Sequence, residues 1–474
     1  MIVHKSQLSL CAVCTMAFVL MPFCMTAAMF SESCAGKAPA GRSGFLIGTY
    51  RLQSWAQTEE HVKDIRDCGI DYVTGISSKT PEERMRVLDL FDKYGLCAVV
   101  TDAIQDLDPY RRRITESNVP LSKYDRVADI WKELGYANRR SSAMNYVCDE
   151  MQGTDFPHLG KIVAYQRRQL PGVLPYVNLF PSYAMPNFKP GMTNFEEIVM
   201  KQLGARNYRE YIDLYCRYVP LGYVSYDFYL YAPSDDTFLP YLYENYEIVA
   251  EACRRTGRSF WFMPQVNSIR ATEWISANKL RFQAFSAMAY GCENIQWACY
   301  TSGWWTNQVV DASGRKTEQY EKLKTVNAEI RRLAEQYMAF RNVATAYVGF
   351  KGQPKVLQKI GTGKAVENVS FLPFDGVRSM DGGPLLVGEM MPRCADSCDR
   401  AIFVCAADDP YDKGGTSRKL LFKADGANIR VVGQKGEVTP TRLDDGTFEV
   451  PIASNAAVLI IAESASRLVS RSGQ

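Results

Sequence analysis

The 474-residue chain is too long for one small core and suits a barrel of roughly 250 to 300 residues followed by a second domain of about 100. Its 55 basic and 52 acidic residues leave a net charge of +3 without a basic stripe, which argues against a nucleic acid partner. With only 3 histidines in the whole sequence, a Ser-His-Asp triad or a histidine-rich metal site is disfavoured, and no metal is expected.

Residues 1–28 have the pattern of an export signal: Lys5 in a positive start, an apolar stretch from Leu8 to Phe23, and small residues at Thr26-Ala27-Ala28. Cleavage there predicts an exported protein of the periplasm, cell surface or extracellular space, with no transmembrane segment in the mature chain. Of the 14 cysteines, Cys11, Cys14 and Cys24 lie in that leader. Most of the others sit inside apolar runs, as small buried hydrophobes do. Cys394 and Cys398 are closely spaced in a loop-like context, and a disulfide or two free thiols fit equally well there.

Eight strand-like runs follow: Phe45 to Leu52, Tyr72 to Ser77, Leu96 to Asp102, Met144 to Glu150, Leu174 to Pro181, Tyr223 to Tyr231, Ser259 to Ser268 and Asn294 to Thr301. Helix-period segments separate nearly all of them. Thr58-Glu59-Glu60 and Thr80-Pro81-Glu82-Glu83 open two of these with a capping residue and early acids. Such alternation predicts a parallel sheet with right-handed crossovers, and eight repeats predict an α/β fold closed as a (β/α)8 TIM barrel over residues 40–340. After Tyr337 the pattern changes to short strand-like runs separated by turns such as Asp425-Gly426-Ala427-Asn428, which predicts a C-terminal antiparallel β-sandwich over 341–466.

The chemistry-bearing residues gather at strand ends. Asp149 and Glu150 close the fourth run, Asp227 lies on the sixth, and Gln265 and Asn267 end the seventh. Carboxylates at the C-terminal ends of barrel strands usually act on substrate. The eighth run leads into Trp304 and Trp305, and Tyr50, Asn178, Tyr183 and Tyr229 fall at or just past other strand ends. Aromatic faces stack on sugar rings while acids and amides bond to hydroxyls, so this mouth predicts an oligosaccharide or polysaccharide partner. No Walker motif and no GxGxxG turn follows a strand, so no cofactor is expected.

Phe45 to Tyr50, Asp149-Glu150, Phe156-Pro157-His158-Leu159, Tyr176-Val177-Asn178-Leu179-Phe180-Pro181, Ser225-Tyr226-Asp227-Phe228-Tyr229 and Arg281 to Gly291 resemble a group of secreted bacterial glycoside-hydrolase-like barrels. That group is similar in outline to clan A enzymes such as the family 42 β-galactosidases. The resemblance implies a catalytic barrel, a C-terminal β-sandwich and a general acid at Glu150. The sequence departs from the pattern twice: Met151 stands where the group has proline, and Gln265 stands where the clan has its glutamate nucleophile.

Three alternatives follow. Asp227 is the second carboxylate with Gln265 binding substrate, or Glu273 reaches in from the next loop, or the barrel binds sugar without cleaving it. The first predicts Glu150 as proton donor and Asp227 as nucleophile or base, with a carboxyl separation of about 5 Å for retention or about 6.5 to 9.5 Å for inversion.

Overall fold

The computed structural model describes residues 44–464 apart from 79, 102–113, 118, 184–201, 234–235, 302–304 and 425–427. The leader, Asp102 and Trp304 therefore lie outside the described residues.

Eight parallel strands form the first layer: β1 (Leu46–Leu52), β2 (Tyr72–Ile76), β3 (Cys97–Val100), β4 (Met144–Asp149), β5 (Leu174–Asn178), β6 (Tyr223–Phe228), β7 (Ser259–Pro264) and β8 (Cys292–Ala298). Their order runs β5-β4-β3-β2-β1-β8-β7-β6, and a parallel bridge between Leu179 and Tyr226 joins the two ends. The Leu179 N–H donates to the Ser225 carbonyl at 2.9 Å across that seam. The barrel is thus closed as the alternation predicts.

Each strand is followed by a helix: α1 (Glu59–Asp67), α2 (Pro81–Tyr94), α3 (Ser122–Glu133), α4 (Phe156–Gln169), α5 (Tyr208–Tyr218), α6 (Leu239–Thr256), α7 (Ala277–Ala289) and α8 (Glu318–Tyr337). The capping signals work as physics requires. Thr58 accepts from the His61 N–H and Thr80 from the Glu83 N–H, which satisfies donors that have no partner in the first turn. Pro81 opens α2, and Gly95 ends it in the left-handed region with φ +68°.

The barrel interior is filled, partly by polar side chains. Tyr72 donates to Asn294 (2.8 Å), and the Tyr176 hydroxyl donates to Gln296 Oε1 (2.8 Å). With those hydroxyls bonded to one another's layer, the centre needs no water channel.

From α8 the chain enters a seven-stranded sheet at Phe340–Val348, and a five-stranded sheet faces it. Their apolar faces meet in a second core holding Phe374, Val387, Val404, Phe422 and Val450. The opposite face of the larger sheet packs on α7 and α8, so that Leu386, Phe403 and Leu459 belong to the barrel's own core. Tyr337 at the end of α8 meets Phe403 edge to face at 5.4 Å. Pairing is antiparallel throughout except for a short parallel strand at Ala365–Val366, so the architecture is a barrel followed by a β-sandwich.

Cys394 and Cys398 are both free and exposed, which settles that pair as thiols in this structure. Among the described residues no helix is long and apolar enough to cross a membrane.

Candidate functional site

The site grows from the end of β4. The strand stops at Asp149, and Glu150 follows with φ +55°, in the left-handed region that a non-glycine residue enters at a cost. Its N–H donates to the Asn178 carbonyl at 3.0 Å, which ties the turn to β5. Asp149 is paired in register with Asn178 on that neighbouring strand.

Asn178 is the hub. Its Nδ2 donates to Asp149 Oδ1 (3.1 Å) and to Asp227 Oδ1 (2.8 Å), while its Oδ1 accepts from Ser225 Oγ (2.8 Å). One buried amide thereby spends both protons on two acids from β4 and β6. Ser225 and Asp227, two residues apart on β6, share a face because strand side chains alternate.

Asp227 is only 4 % exposed. Burial pushes its carboxyl well above the usual carboxylate range, the nearby charges of Glu150 and then Asp149 push it further, and the Asn178 hydrogen bond opposes them. The three acids expected at the mouth are therefore neighbours, and burial holds Asp227 toward its protonated form. The Tyr183 and Tyr229 hydroxyls are also pushed up, chiefly by burial and next by Asp227.

Aromatic side chains wall this cluster. The Tyr183 hydroxyl accepts from the Tyr229 N–H at 2.7 Å, and its ring stacks on Phe238 at 4.1 Å. Tyr229 meets Trp305 edge to face at 4.4 Å, and both Tyr50 and Tyr229 pack on Met263, Ala298 and Cys299. Tyr183 and Tyr229 lie near enough to Asp227 to feel its charge, and Tyr50 packs on the same apolar cluster as Tyr229. Trp305 is nearly buried against Tyr229.

Gln265 and Asn267 take a different place. Both are fully buried. Gln265 Oε1 accepts from the Tyr231 N–H (2.7 Å) and its Nε2 donates to the Asn267 carbonyl (3.0 Å), so both ends of its amide are committed to backbone. Asn267 Oδ1 accepts from the Cys299 N–H at 2.9 Å. These two side chains join the ends of β6, β7 and β8. Glu273, the other candidate for a second carboxylate, is exposed and pairs with Arg270 at 2.9 Å.

Ser225, Phe238, Met263 and Cys299 belong to the site without having been singled out from sequence. For Ser225 the period-two spacing from Asp227 is a usable signal. Phe238 reaches Tyr183 from a position 55 residues further along the chain, which no local pattern reports. Among the described residues no group of three or more His, Cys, Asp or Glu is arranged to hold a metal ion.

No protein-family model matches the chain, and no curated protein matches it. Among solved structures it is similar to a catalytic mutant of a GH42 β-galactosidase from G. stearothermophilus, with 7 % identity, a TM-score of 0.53, and coverage of 89 % of this chain and 98 % of the other. A GH30 subfamily 8 xylanase from Clostridium acetobutylicum aligns over 88 % of this chain and 96 % of its own at 9 % identity and a TM-score of 0.41. A family 5 mannosidase from Rhizomucor miehei aligns over 63 % and 97 % at 12 % identity and a TM-score of 0.41. At 7 % identity the likeness to the β-galactosidase is one of fold alone.

Proposed function

We propose that the protein is an exported glycoside hydrolase that cleaves a glycosidic bond at the C-terminal mouth of the barrel. One observation carries the reading: the Asn178 amide bridges Asp149 and Asp227 beneath Glu150, inside a wall of tyrosines. Export rests on the leader-like residues 1–28.

Asp227 feels the charge of Glu150, and carboxyls that interact titrate as a pair in which the charge of one opposes that of the other. Glycosidic cleavage needs one acid and one carboxylate in such a pair. Without substrate, burial favours the protonated form of Asp227. A sugar closing over the half-buried Glu150 removes water from it and raises its affinity for the proton. The proton passes from Asp227 to Glu150, Glu150 gives it to the departing oxygen, and Asp227, now charged, serves as nucleophile or as base for water. Tyr50, Tyr183 and Tyr229 supply faces and hydroxyls to the ring, and Asn178 holds the acids in place.

Incubating the purified protein with a panel of plant and host glycans, with product detection, tests the proposal. Turnover that Glu150→Gln lowers by about 10² to 10⁴ supports it, that being the usual weight of general acid catalysis. A second reading, a barrel that binds sugar without cleaving it, is favoured by the amide at Gln265 and by the burial that disfavours a charged Asp227. Micromolar binding without turnover on any glycan decides for that second reading.

A further inference from the structure

A loop of the β-sandwich, residues 408–415 between the strands Arg400–Ala406 and Arg418–Ala424, reaches the barrel beside the site. Its Tyr411 meets Tyr231 edge to face at 5.7 Å, and its Asp412 accepts from Ser276 Oγ and from Asn278 Nδ2 (2.7 Å), the residues that open α7. Tyr231 is the residue whose N–H is held by Gln265, and it lies four positions after Asp227.

The loop is braced for that contact. Asp409 accepts from the N–H groups of Lys413 (2.6 Å), Gly414 (3.1 Å) and Gly415 (2.7 Å), and Asn455 Nδ2 donates to its carbonyl (2.6 Å). At its base Arg418 forms a buried ion pair with Asp408 at 2.7 Å. A loop held by its own hydrogen bonds and by a desolvated ion pair transmits position, whereas a slack one does not.

From Tyr411 the contacts run without a gap to the mouth. Tyr231 is fixed on one side by Tyr411 and, through its hydroxyl, by the Lys279 carbonyl at 3.2 Å. Its N–H is fixed by Gln265, which reaches Asn267, which in turn holds the Cys299 N–H under Tyr50 and Tyr229. From this continuity we infer that Tyr411 and Asp412 are positioning residues: the sandwich loop clamps the ends of β6 and β7 and so sets the placement of Asp227 and Tyr229. The β-sandwich is in this sense a working part of the barrel's site, and Gln265 is the amide through which the clamp acts. The consequence for catalysis rests on the glycoside hydrolase reading, whereas the clamp itself does not.

The test uses the full chain and three variants, Tyr411→Ala, Asp412→Ala and Tyr411→Phe. Hydrogen exchange followed by mass spectrometry reads the clamp with no reference to activity. Residues 228–233 and 265–268 should exchange at least about tenfold faster in the two alanine variants, with the barrel's other strand ends unchanged and the melting temperature close to wild type. Tyr411→Phe should restore slow exchange, since the ring contact persists. On any glycan that the wild type cleaves, the alanine variants should lose about 10- to 100-fold in kcat with a smaller change in KM, as misplaced catalytic groups do.

Unchanged exchange at 228–233 overturns the inference. So does faster exchange spread evenly over the whole barrel, which assigns Tyr411 to general stability. If no glycan is cleaved by the wild type, the hydrolase reading fails while exchange still decides on the clamp. If exchange rises but turnover of a cleaved glycan is unaltered, the positioning role is overturned.

Discussion

Glu150 and Asp227 differ by their surroundings more than by their chemical type. Glu150 occupies a left-handed backbone position at a strand end, a placement that costs of order 1–3 kcal/mol and persists because the Asn178 carbonyl captures its N–H. Asp227 sits buried on a hydrogen bond from Asn178. The fold therefore keeps on Asp227 a proton that the unfolded chain releases above about pH 4. A carboxyl whose folded pKa is raised favours the fold less as pH climbs, so stability falls from about pH 4 upward until the folded group itself ionises. Asp227→Asn, which keeps the acceptor for Asn178, should melt above wild type at pH 7 to 8 and converge with it near pH 4. Thermal melts across that range check this, and equal melting temperatures at pH 8 would count against a buried, protonated Asp227.

At the scale of elements, strand ends and their turns determine what the mouth looks like. Gly75, inside β2 with φ +64°, lies where an added Cβ would come within 2.7 Å of the Tyr50 ring. Gly75→Ala should therefore displace Tyr50 as well as strain the strand, costing about 1–3 kcal/mol of stability by overpacking. Weaker sugar binding accompanying that loss, measured by calorimetry, would place Tyr50 against the ligand. The eight strands and their helices were legible in the sequence because buried parallel strands are continuous apolar runs and the helix starts carry their own caps at Thr58 and Thr80. The places of Asp149 and Asp227 at or near the ends of β4 and β6 were legible too. What the sequence does not show is who holds them. The Asn178 bridge joins residues 29 and 49 positions apart, and the burial of Gln265 depends on Tyr231, 34 positions away. At Gln265 the strand-end rule located the residue but not the direction of its amide, which the backbone of its neighbours had already engaged.

Across the whole molecule, barrel and sandwich share one apolar core, so the second domain is part of the first one's stability. Gly388 makes the seam close: a Cβ there would lie 2.3 Å from the Ala289 carbonyl at the end of α7. Tyr290, next to it, bonds to Tyr347 of the sandwich and to Glu247 of α6 at 3.1 Å. Gly388→Ala should force the sheet off the helix end and destabilise the chain by about 1–3 kcal/mol, measured by urea unfolding, with barrel and sandwich still lost in a single transition. Two separated transitions would contradict the shared core. The contacts of loop 408–415 with Tyr231 and Ser276 cross between domains, so no local sequence pattern reports them.

The central claim is that the carboxyl group of Glu150, paired with Asp227, breaks a glycosidic bond. Its most direct test is turnover of glycans by the wild type and by Glu150→Gln at neutral pH, with the released sugar detected and the variant shown to melt normally. Cleavage by the wild type and a loss of about 10² to 10⁴ in the variant is the predicted result. Equal turnover in the two proteins, or sugar binding with no cleavage by either, would contradict it.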